Sequence, residues 1–394
     1  MKNLFRLLLL GLLLLVALPA QANREVLVQW PDDVEPGWPQ FWRSLRIDDW
    51  PLAMPEWIIS PPAGTLGGPQ AGLDWATTVD YYCGHFLFRQ RFDVAHGLGP
   101  YYNSTACGEC HYTPNQGGRG EDMMRQGILV HGPAFTEKNA MGLRKYSIPG
   151  FKQELGTPPV GHLRTPPLYG LGELDEIPDE TIEQGQDPQD LNHDGITGMV
   201  NRRGDGMRMA RFGQKANEWN LQRFCAGALR DEMGVTSPQN RDQRPDGDAV
   251  PDPEVAADFV PRVAAFVRHL ARPPRGPGGE AAKRGEVAFV ELGCSGCHKP
   301  QLGQVYGAYT DLLLHDMGGS LDNHLHDGLA KGVHWRTSPL WGLRFKERFL
   351  HDERAASVPE VLDNHQGEAA LPAARFKQLS PTAKADLVAF LYSL

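Results

Sequence analysis

The chain has 394 residues, and 48 Asp and Glu against 39 Lys and Arg give a formal net charge of −9 at pH 7. A negative chain is repelled by phosphate backbones, which argues against nucleic acid as a partner. The 44 glycines and 32 prolines predict that much of the length is loop.

Residues 1–22 have the pattern of a cleavable signal peptide. Lys2 and Arg6 precede the apolar run Leu7–Leu18, and Ala20–Ala22 forms an A-x-A cleavage site. The alternative is an uncleaved anchor, but the run is short for a span of about 20 residues. We therefore predict export to the periplasm and a mature chain without a membrane span.

Residues 23–80 are predicted to form an N-terminal arm rich in Trp and Pro. Six of the nine tryptophans of the chain lie in this stretch. We interpret it as an extended arm that packs on the rest of the protein, and an aromatic surface for a partner is the alternative.

Two Cys-x-x-Cys-His motifs follow, CGECH at Cys107–His111 and CSGCH at Cys294–His298. In this pentapeptide both sulfurs can form thioethers to one haem while the adjacent imidazole reaches the iron. A zinc site would need a second pair of ligands for each motif. The sequence therefore predicts two covalent c-type haems, bound by Cys107, Cys110, His111, Cys294, Cys297 and His298.

The other two cysteines, Cys83 and Cys225, remain as a pair. In an oxidising compartment, a disulfide between them is favoured over two free thiols.

The chain also contains an internal duplication. Each half has, in the same order, a haem motif, an RT-x-P-L-x-GL segment (Arg164–Leu171 and Arg336–Leu343) and a helical tail. The linker 271–279 is too rich in Pro and Gly to continue a helix. We predict a mainly α fold with long loops and two tandem cytochrome c-like haem domains, residues 81–272 and 280–394.

Helices are predicted at both ends of the second domain. The first is Glu280–Leu292, with apolar positions at Val287, Phe289 and Val290. The second begins at Pro381 after the N-cap Ser380, and its apolar face contains Leu387, Phe390 and Leu391.

The segment from Asp190 to Ile196 places oxygen ligands at alternate positions and Gly at the sixth. This pattern, with Asp190, Asn192 and Asp194 as ligands, is the first half of a calcium loop. Asn201 stands where a bidentate Glu would complete it, so the site is incomplete, and an Asx-rich turn is the alternative.

From about Gly84 to Leu394 the chain resembles the di-haem oxidoreductases described as peroxidases or thiol oxidoreductases, which are relatives of bacterial di-haem cytochrome c peroxidases. The resemblance is carried by GLGPYYNSTACGECH, RTPPLYGLGELDEIPDETI, WRTSPLWGL and RFLHDERA. One departure is Glu353, which stands where relatives usually have Gly. Because Glu resists φ > 0, this turn is expected to differ.

The resemblance implies different roles for the two haems. The N-terminal haem would meet peroxide, and the C-terminal haem would be six-coordinate and relay electrons. It points to His365 as the sixth ligand of the second haem, with Met317 as the rival.

The resemblance also implies an acidic residue on the distal side of the first haem. Asp175 fits that position best, with Glu173 and Glu176 as neighbours, and solvated acids are the alternative. His162 and Arg164, just upstream, could act as distal donors or propionate partners. Trp219, Tyr169 and Trp341 are candidates for electron transfer between the haems, although core packing explains at least two of them.

The favoured function is therefore a periplasmic, peroxidase-like di-haem oxidoreductase. Its partner would be an electron donor, or a protein or small molecule that it oxidises. The alternatives are a di-haem electron carrier and a redox accessory of periplasmic iron uptake.

Overall fold

The computed structural model describes residues 61–120, 123–129, 141–152, 156–203, 207–240 and 248–394, all within the compact unit Trp57–Leu394. The predicted signal peptide and the first part of the predicted arm, up to residue 60, lie outside the described residues. None of the described helices has the length and apolar character needed to span a bilayer.

The regular structure of the described residues is mainly helical, which confirms the prediction of a mainly α fold. The α-helices are α1 Trp75–Phe88, α2 Cys107–Cys110, α3 Leu171–Asp175, α4 Asp179–Glu183, α5 Leu221–Met233, α6 Phe259–His269, α7 Glu280–Leu292, α8 Val358–Asp363, α9 Ala370–Gln378 and α10 Pro381–Tyr392.

Among the described residues, the strands have two to nine residues and pair in small antiparallel sheets. They are β1 Tyr101–Tyr102, β2 Met123–Leu129, β3 Met141–Leu143, β4 Tyr146–Ser147, β5 Gly156–Arg164, β6 Asn201–Arg203, β7 Arg208–Ala210, β8 Gln301–Leu302, β9 Val305–Tyr306, β10 Leu314–Asp316 and β11 His334–Arg336. One sheet has the order β3-β2-β5, and the two-stranded sheets are β1-β4, β6-β7, β8-β9 and β10-β11.

Two pairs of helices cross in the same way. A Cβ atom on Gly84 of α1 would lie 2.0 Å from the carbonyl oxygen of Arg262 in α6, and one on Gly285 of α7 would lie 2.0 Å from that of Asp386 in α10. Only glycine permits so close a backbone approach. Each crossing therefore brings a helix that precedes a haem motif against a helix that ends the same half of the chain.

The helix predictions for the second half are confirmed in their bounds. Helix α7 runs from Glu280 to Leu292, and Ser380 caps α10 by accepting a hydrogen bond from the backbone N–H of Ala383. The three apolar positions of α7 differ in their burial. Phe289 is buried, but Val287 and Val290 are 57% and 54% exposed, because only one side of α7 packs against α10.

The predicted linker 271–279 contains no helix or strand. At the other end, α1 begins at Trp75 and so crosses the predicted arm boundary at residue 80. The division into two haem domains remains a prediction.

The predicted disulfide is wrong, because Cys83 and Cys225 are both free. Cys83 interacts electrostatically with Arg262 of α6, whereas Cys225 interacts with Arg268 of the same helix. Six residues of helix separate those arginines by about 9 Å.

Candidate functional site

Both motif histidines are held by a backbone carbonyl in the same way. Nδ1 of His111 lies 3.0 Å from the carbonyl oxygen of Gly118, and Nδ1 of His298 lies 3.0 Å from that of Tyr309. Because a carbonyl only accepts, each Nδ1 carries the proton and each Nε2 keeps its lone pair. Burial lowers the pKa of both imidazoles to about 4, so both are neutral at pH 7, as an iron ligand must be.

An aromatic ring on the preceding helix stands beside each of these histidines. The ring centroids of Phe88 and His111 are 6.0 Å apart, and those of Phe289 and His298 are 6.4 Å apart. Each phenylalanine lies one turn after the glycine of its helix crossing. The two motifs therefore have matching local surroundings.

A cavity of about 310 Å³ lies beside the second motif, and Cys294, Cys297 and His298 form part of its wall. Next to them the wall is apolar, and it consists of Phe289, Leu340, Leu343, Leu387 and Leu391. Helices α7 and α10 supply most of these side chains. A flat apolar group attached through the two cysteines would fit this wall.

Both predicted candidates for the sixth ligand, His365 and Met317, line the same cavity. Nδ1 of His365 donates to the carbonyl oxygen of Val361 at 2.8 Å, which leaves Nε2 as the free ring nitrogen. His365 is also close enough to His298 to affect its pKa. Met317 packs against the apolar cluster of Leu163, Leu321 and Trp335.

The carboxylate of Glu368, three residues after His365, anchors the loop that carries this histidine. It accepts hydrogen bonds from the N–H and hydroxyl of Thr197 and from the N–H of Asp316. It also lies 2.7 Å from Nδ1 of His315, whose Nε2 lies 3.0 Å from Asp311.

Charge stabilises this anchor. Burial alone would lower the pKa of His315, but its hydrogen bonds with Asp311, Cys297 and Glu368 outweigh burial and raise the pKa to about 12. In Glu368 burial is likewise outweighed, and hydrogen bonds lower the pKa to about 2. At neutral pH the imidazolium of His315 on strand β10 therefore binds the carboxylate of Glu368 in the His365 loop.

One end of the cavity is rich in cationic side chains: Arg119, Arg164, Arg336, Lys346 and Arg348. Burial lowers the pKa of Arg336 to about 10 and that of Lys346 to about 8, and the neighbouring Arg119 and Arg336 add to the effect on Lys346. Among the described residues that line the cavity, the carboxylates are Glu353 and Glu368, and Glu368 is already engaged. These buried cations fit the propionate groups of a haem.

Glu353 reaches this end from a tight turn. Its φ is +59°, so the left-handed conformation is present although the residue is not glycine. The oxygen Oε1 of Glu353 lies 2.9 Å from Nε of Arg164 and 3.3 Å from Nη1 of Arg119. The expectation that Glu353 would change the turn is therefore wrong, and the side chain of Glu353 binds two arginines.

A stack of three side chains adjoins this end. Nζ of Lys215 lies 3.5 Å from the ring centroid of Trp335, and the ring of His351 stacks on that of Trp335 at 3.7 Å between centroids and an interplanar angle of 13°. Trp335 and His351 both line the cavity. Sequence reasoning did not identify any of the three.

Asp175 lies near the first motif. Its side chain is 7% exposed, and Oδ2 forms an ion pair of 2.7 Å with Nη2 of Arg268. Burial raises the pKa of the neighbouring Cys225, and the charges of Cys107 and Asp175 raise it further while Arg268 opposes them. The charges of Asp175, Arg268 and the attachment cysteine Cys107 therefore all act on the thiol of Cys225.

The other predicted distal residues are not part of this cluster. Glu173 pairs with Arg272 at 3.4 Å, Glu176 is exposed, and His162 is exposed on strand β5. Arg164 instead lines the cavity of the second motif, which favours the predicted role of propionate partner over that of distal donor.

Two of the three predicted electron-transfer aromatics lie together. Tyr169 and Trp341 line a small cavity of about 20 Å³, and the hydroxyl of Tyr169 donates to the carbonyl oxygen of Asn115. Trp219 stands apart from them, with the guanidinium groups of Arg208 and Arg223 over its ring at 5.4 and 4.2 Å. Cation–π packing explains the position of Trp219.

The loop of the predicted calcium site is exposed and bonded to itself. Asp190 accepts from the N–H of Gly195, Asn192 accepts from that of Asp194, and Asp194 accepts from that of Ile196. These are the contacts of an Asx-rich turn. Calcium binding remains a prediction.

If calcium binds here, it should raise the melting temperature by mass action on the folded state, and the double variant Asp190→Ala, Asp194→Ala should lose that increase. Thermal melts with calcium and with a chelator test this, and identical melting of the unmodified protein in both would remove the site.

A protein-family profile described as "Di-haem oxidoreductase, putative peroxidase" matches residues 159–394, which is more than half of the chain. The chain belongs to the di-haem oxidoreductase family. It is therefore an oxidoreductase, and membership implies two haems. The matched residues include the second motif, the cavity lining apart from Arg119, and Asp175, and the first motif precedes them.

Solved structures with similar chains include a hydrazine synthase of Kuenenia stuttgartiensis, at 15% identity, a TM-score of 0.44 and coverage of 95% of this di-haem oxidoreductase and 100% of that chain. The diheme peroxidase BthA of Burkholderia thailandensis is 15% identical, with a TM-score of 0.42, and the match covers 80% of this chain and 86% of that chain. A MauG-like protein associated with microbial copper homeostasis is 16% identical, with a TM-score of 0.33, and the match covers 56% of this chain and 90% of that chain. No curated protein matches the chain.

Proposed function

We propose that this di-haem oxidoreductase reduces peroxide, or uses it to oxidise a partner, with a haem covalently attached at each motif. The observation that carries the proposal is the contrast between the two motifs. The second faces a cavity with two further candidates for an iron ligand, whereas a buried carboxylate, Asp175, lies near the first.

The first motif is the proposed site of peroxide reaction. When bound, the two haems supply one electron each for the overall conversion of H₂O₂, two protons and two electrons into two waters. Asp175 Oδ2 is paired with Arg268, so we assign proton transfer to Oδ1. A carboxylate there can accept a proton from one peroxide oxygen and return it to the other, which assists cleavage of the O–O bond.

The second motif is the proposed electron-transfer site, closed by His298 and His365. Two observations favour His365 over Met317 as the sixth ligand. The hydrogen bond to Val361 fixes the tautomer that keeps Nε2 free, and Glu368 holds the loop in place. A hydrogen bond from the ring nitrogen that does not bind the metal commonly orients a histidine ligand.

We further propose a periplasmic location and a periplasmic redox partner. The composition of residues 1–22 supports export. The partner would be an electron donor, or a protein or small molecule that is oxidised.

The experiment is a titration of the fully reduced protein with H₂O₂, followed by visible absorption. One equivalent of peroxide should reoxidise both haems, because one electron from each completes the two-electron reduction. A reduced protein that is stable to excess peroxide would overturn the proposal and favour an electron carrier.

A further inference from the structure

We propose that Glu353 is a fixed negative charge that lowers the reduction potential of the haem at the second motif. It would do so both directly and by compensating the positive charge of Arg119 and Arg164. The inference rests on the proposed function only in placing a haem in the cavity beside Cys294–His298.

The first observation is the position of Glu353 in the wall of the cavity. Glu353 lines the cavity together with five cationic side chains, and Glu368, the other carboxylate among the described lining residues, is neutralised by His315 and backbone N–H groups. Among the described lining residues, Glu353 thus provides the carboxylate that faces the cationic side chains of this end. A ferric haem carries one more positive charge than a ferrous haem, so a fixed anion nearby favours the ferric form.

The second observation is the burial of Glu353 and of the two arginines with which it forms ion pairs. The side chains of Glu353, Arg119 and Arg164 are 14%, 11% and 12% exposed, so little water screens their attraction. Oε1 of Glu353 binds both arginines. Without Glu353, the positive charge of these guanidinium groups would lose this compensation and would favour the ferrous form. The loss of the anion and the uncompensated charge of the arginines therefore shift the potential in the same direction.

The third support is that the three residues come from separate parts of the chain. Arg119 follows the first haem motif, Arg164 begins the RTPPLYGL segment, and Glu353 lies in the HDERA turn of the second half. The positive φ of Glu353 is maintained although glycine would adopt it more easily. We therefore attribute the role of this position to the carboxylate of Glu353 and not to the turn alone.

Potentiometric titration of the full-length holoprotein, followed by visible and EPR spectra, tests the proposal. Glu353→Gln should make reduction of the low-spin haem more favourable by about tenfold in its equilibrium constant, which is 59 mV for a one-electron couple. Glu353→Gly removes the same charge but suits φ > 0, so it should fold readily and give a similar shift.

Glu347→Gln is the matched control. Glu347 is also near Arg119, at 3.7 Å, but its side chain is 89% exposed, so its removal should change the equilibrium constant by less than about twofold. An unchanged or lowered potential in Glu353→Gln would overturn the proposal. So would a shift confined to Glu353→Gly, which would assign the effect to the backbone, or an equal shift in Glu347→Gln.

Haem content separates this inference from the proposed function. If the unmodified protein carries a haem at the second motif but shows no peroxide reaction, the proposed function fails and the potential shift is still expected. If it carries no haem there, both fail.

Discussion

Asp175→Asn is expected to reduce peroxide turnover by about 10²- to 10⁴-fold while leaving both haem spectra nearly unchanged. The amide has the size of the carboxylate but cannot accept a proton from peroxide and return it. Asp175 is buried and ion-paired with Arg268 near the first attachment motif, so no neighbouring solvent-exposed acid can replace it at that position. Steady-state turnover with a chemical electron donor measures the effect.

Glu176→Gln is the matched control, because Glu176 is adjacent in sequence but exposed. It should retain full turnover. A loss in Glu176→Gln as large as that in Asp175→Asn would show that the charge of the segment matters and not the position of Asp175. Full activity of Asp175→Asn would remove the carboxylate from the mechanism.

His365→Ala is expected to convert the low-spin signal of the second haem into a high-spin one. The methyl group of Ala cannot bind iron, and Glu368 and Val361 would then hold a loop without a ligand. Electron delivery to the first haem should slow as a result. EPR spectra of the ferric protein and the rate of reoxidation by peroxide measure the two effects.

Met317→Leu is the comparison variant, because it preserves the volume of a side chain that packs against Leu163, Leu321 and Trp335. It should keep the low-spin signal. If Met317→Leu changes the spin state and His365→Ala does not, Met317 is the ligand and the assignment of His365 is wrong.

The sequence predicted those parts of the site that depend on local spacing. The Cys-x-x-Cys-His motifs, the helix Glu280–Leu292 and the capped helix after Ser380 are each specified within a few residues, and the structure has the two helices as predicted. His365 and Met317 were identified through resemblance, and both line the cavity.

The cationic end of the cavity was missed because its members come together only in the tertiary structure. Arg336 could have been found, since it occupies the same place in the second RT-x-P-L-x-GL segment as Arg164 does in the first. Arg119 and Lys346 have no such counterpart. The stack of Lys215, Trp335 and His351 likewise joins three distant segments.

The wrong predictions have the same origin. Cys83 and Cys225 were paired because they were the cysteines left over, but they interact with arginines at different levels of α6. Val287 and Val290 are exposed although they are apolar, because α7 buries only the side that faces α10. Which side of a helix packs, and at which level, depends on the rest of the chain.

The central claim is that the two haems have different iron coordination and different roles. The EPR spectrum of the unmodified ferric protein tests it most directly. We expect one high-spin signal, from a haem iron with an open position at the first motif. Beside it we expect one low-spin signal, from the haem iron that His298 and His365 would bind. Two low-spin signals, unchanged on addition of peroxide, would contradict it.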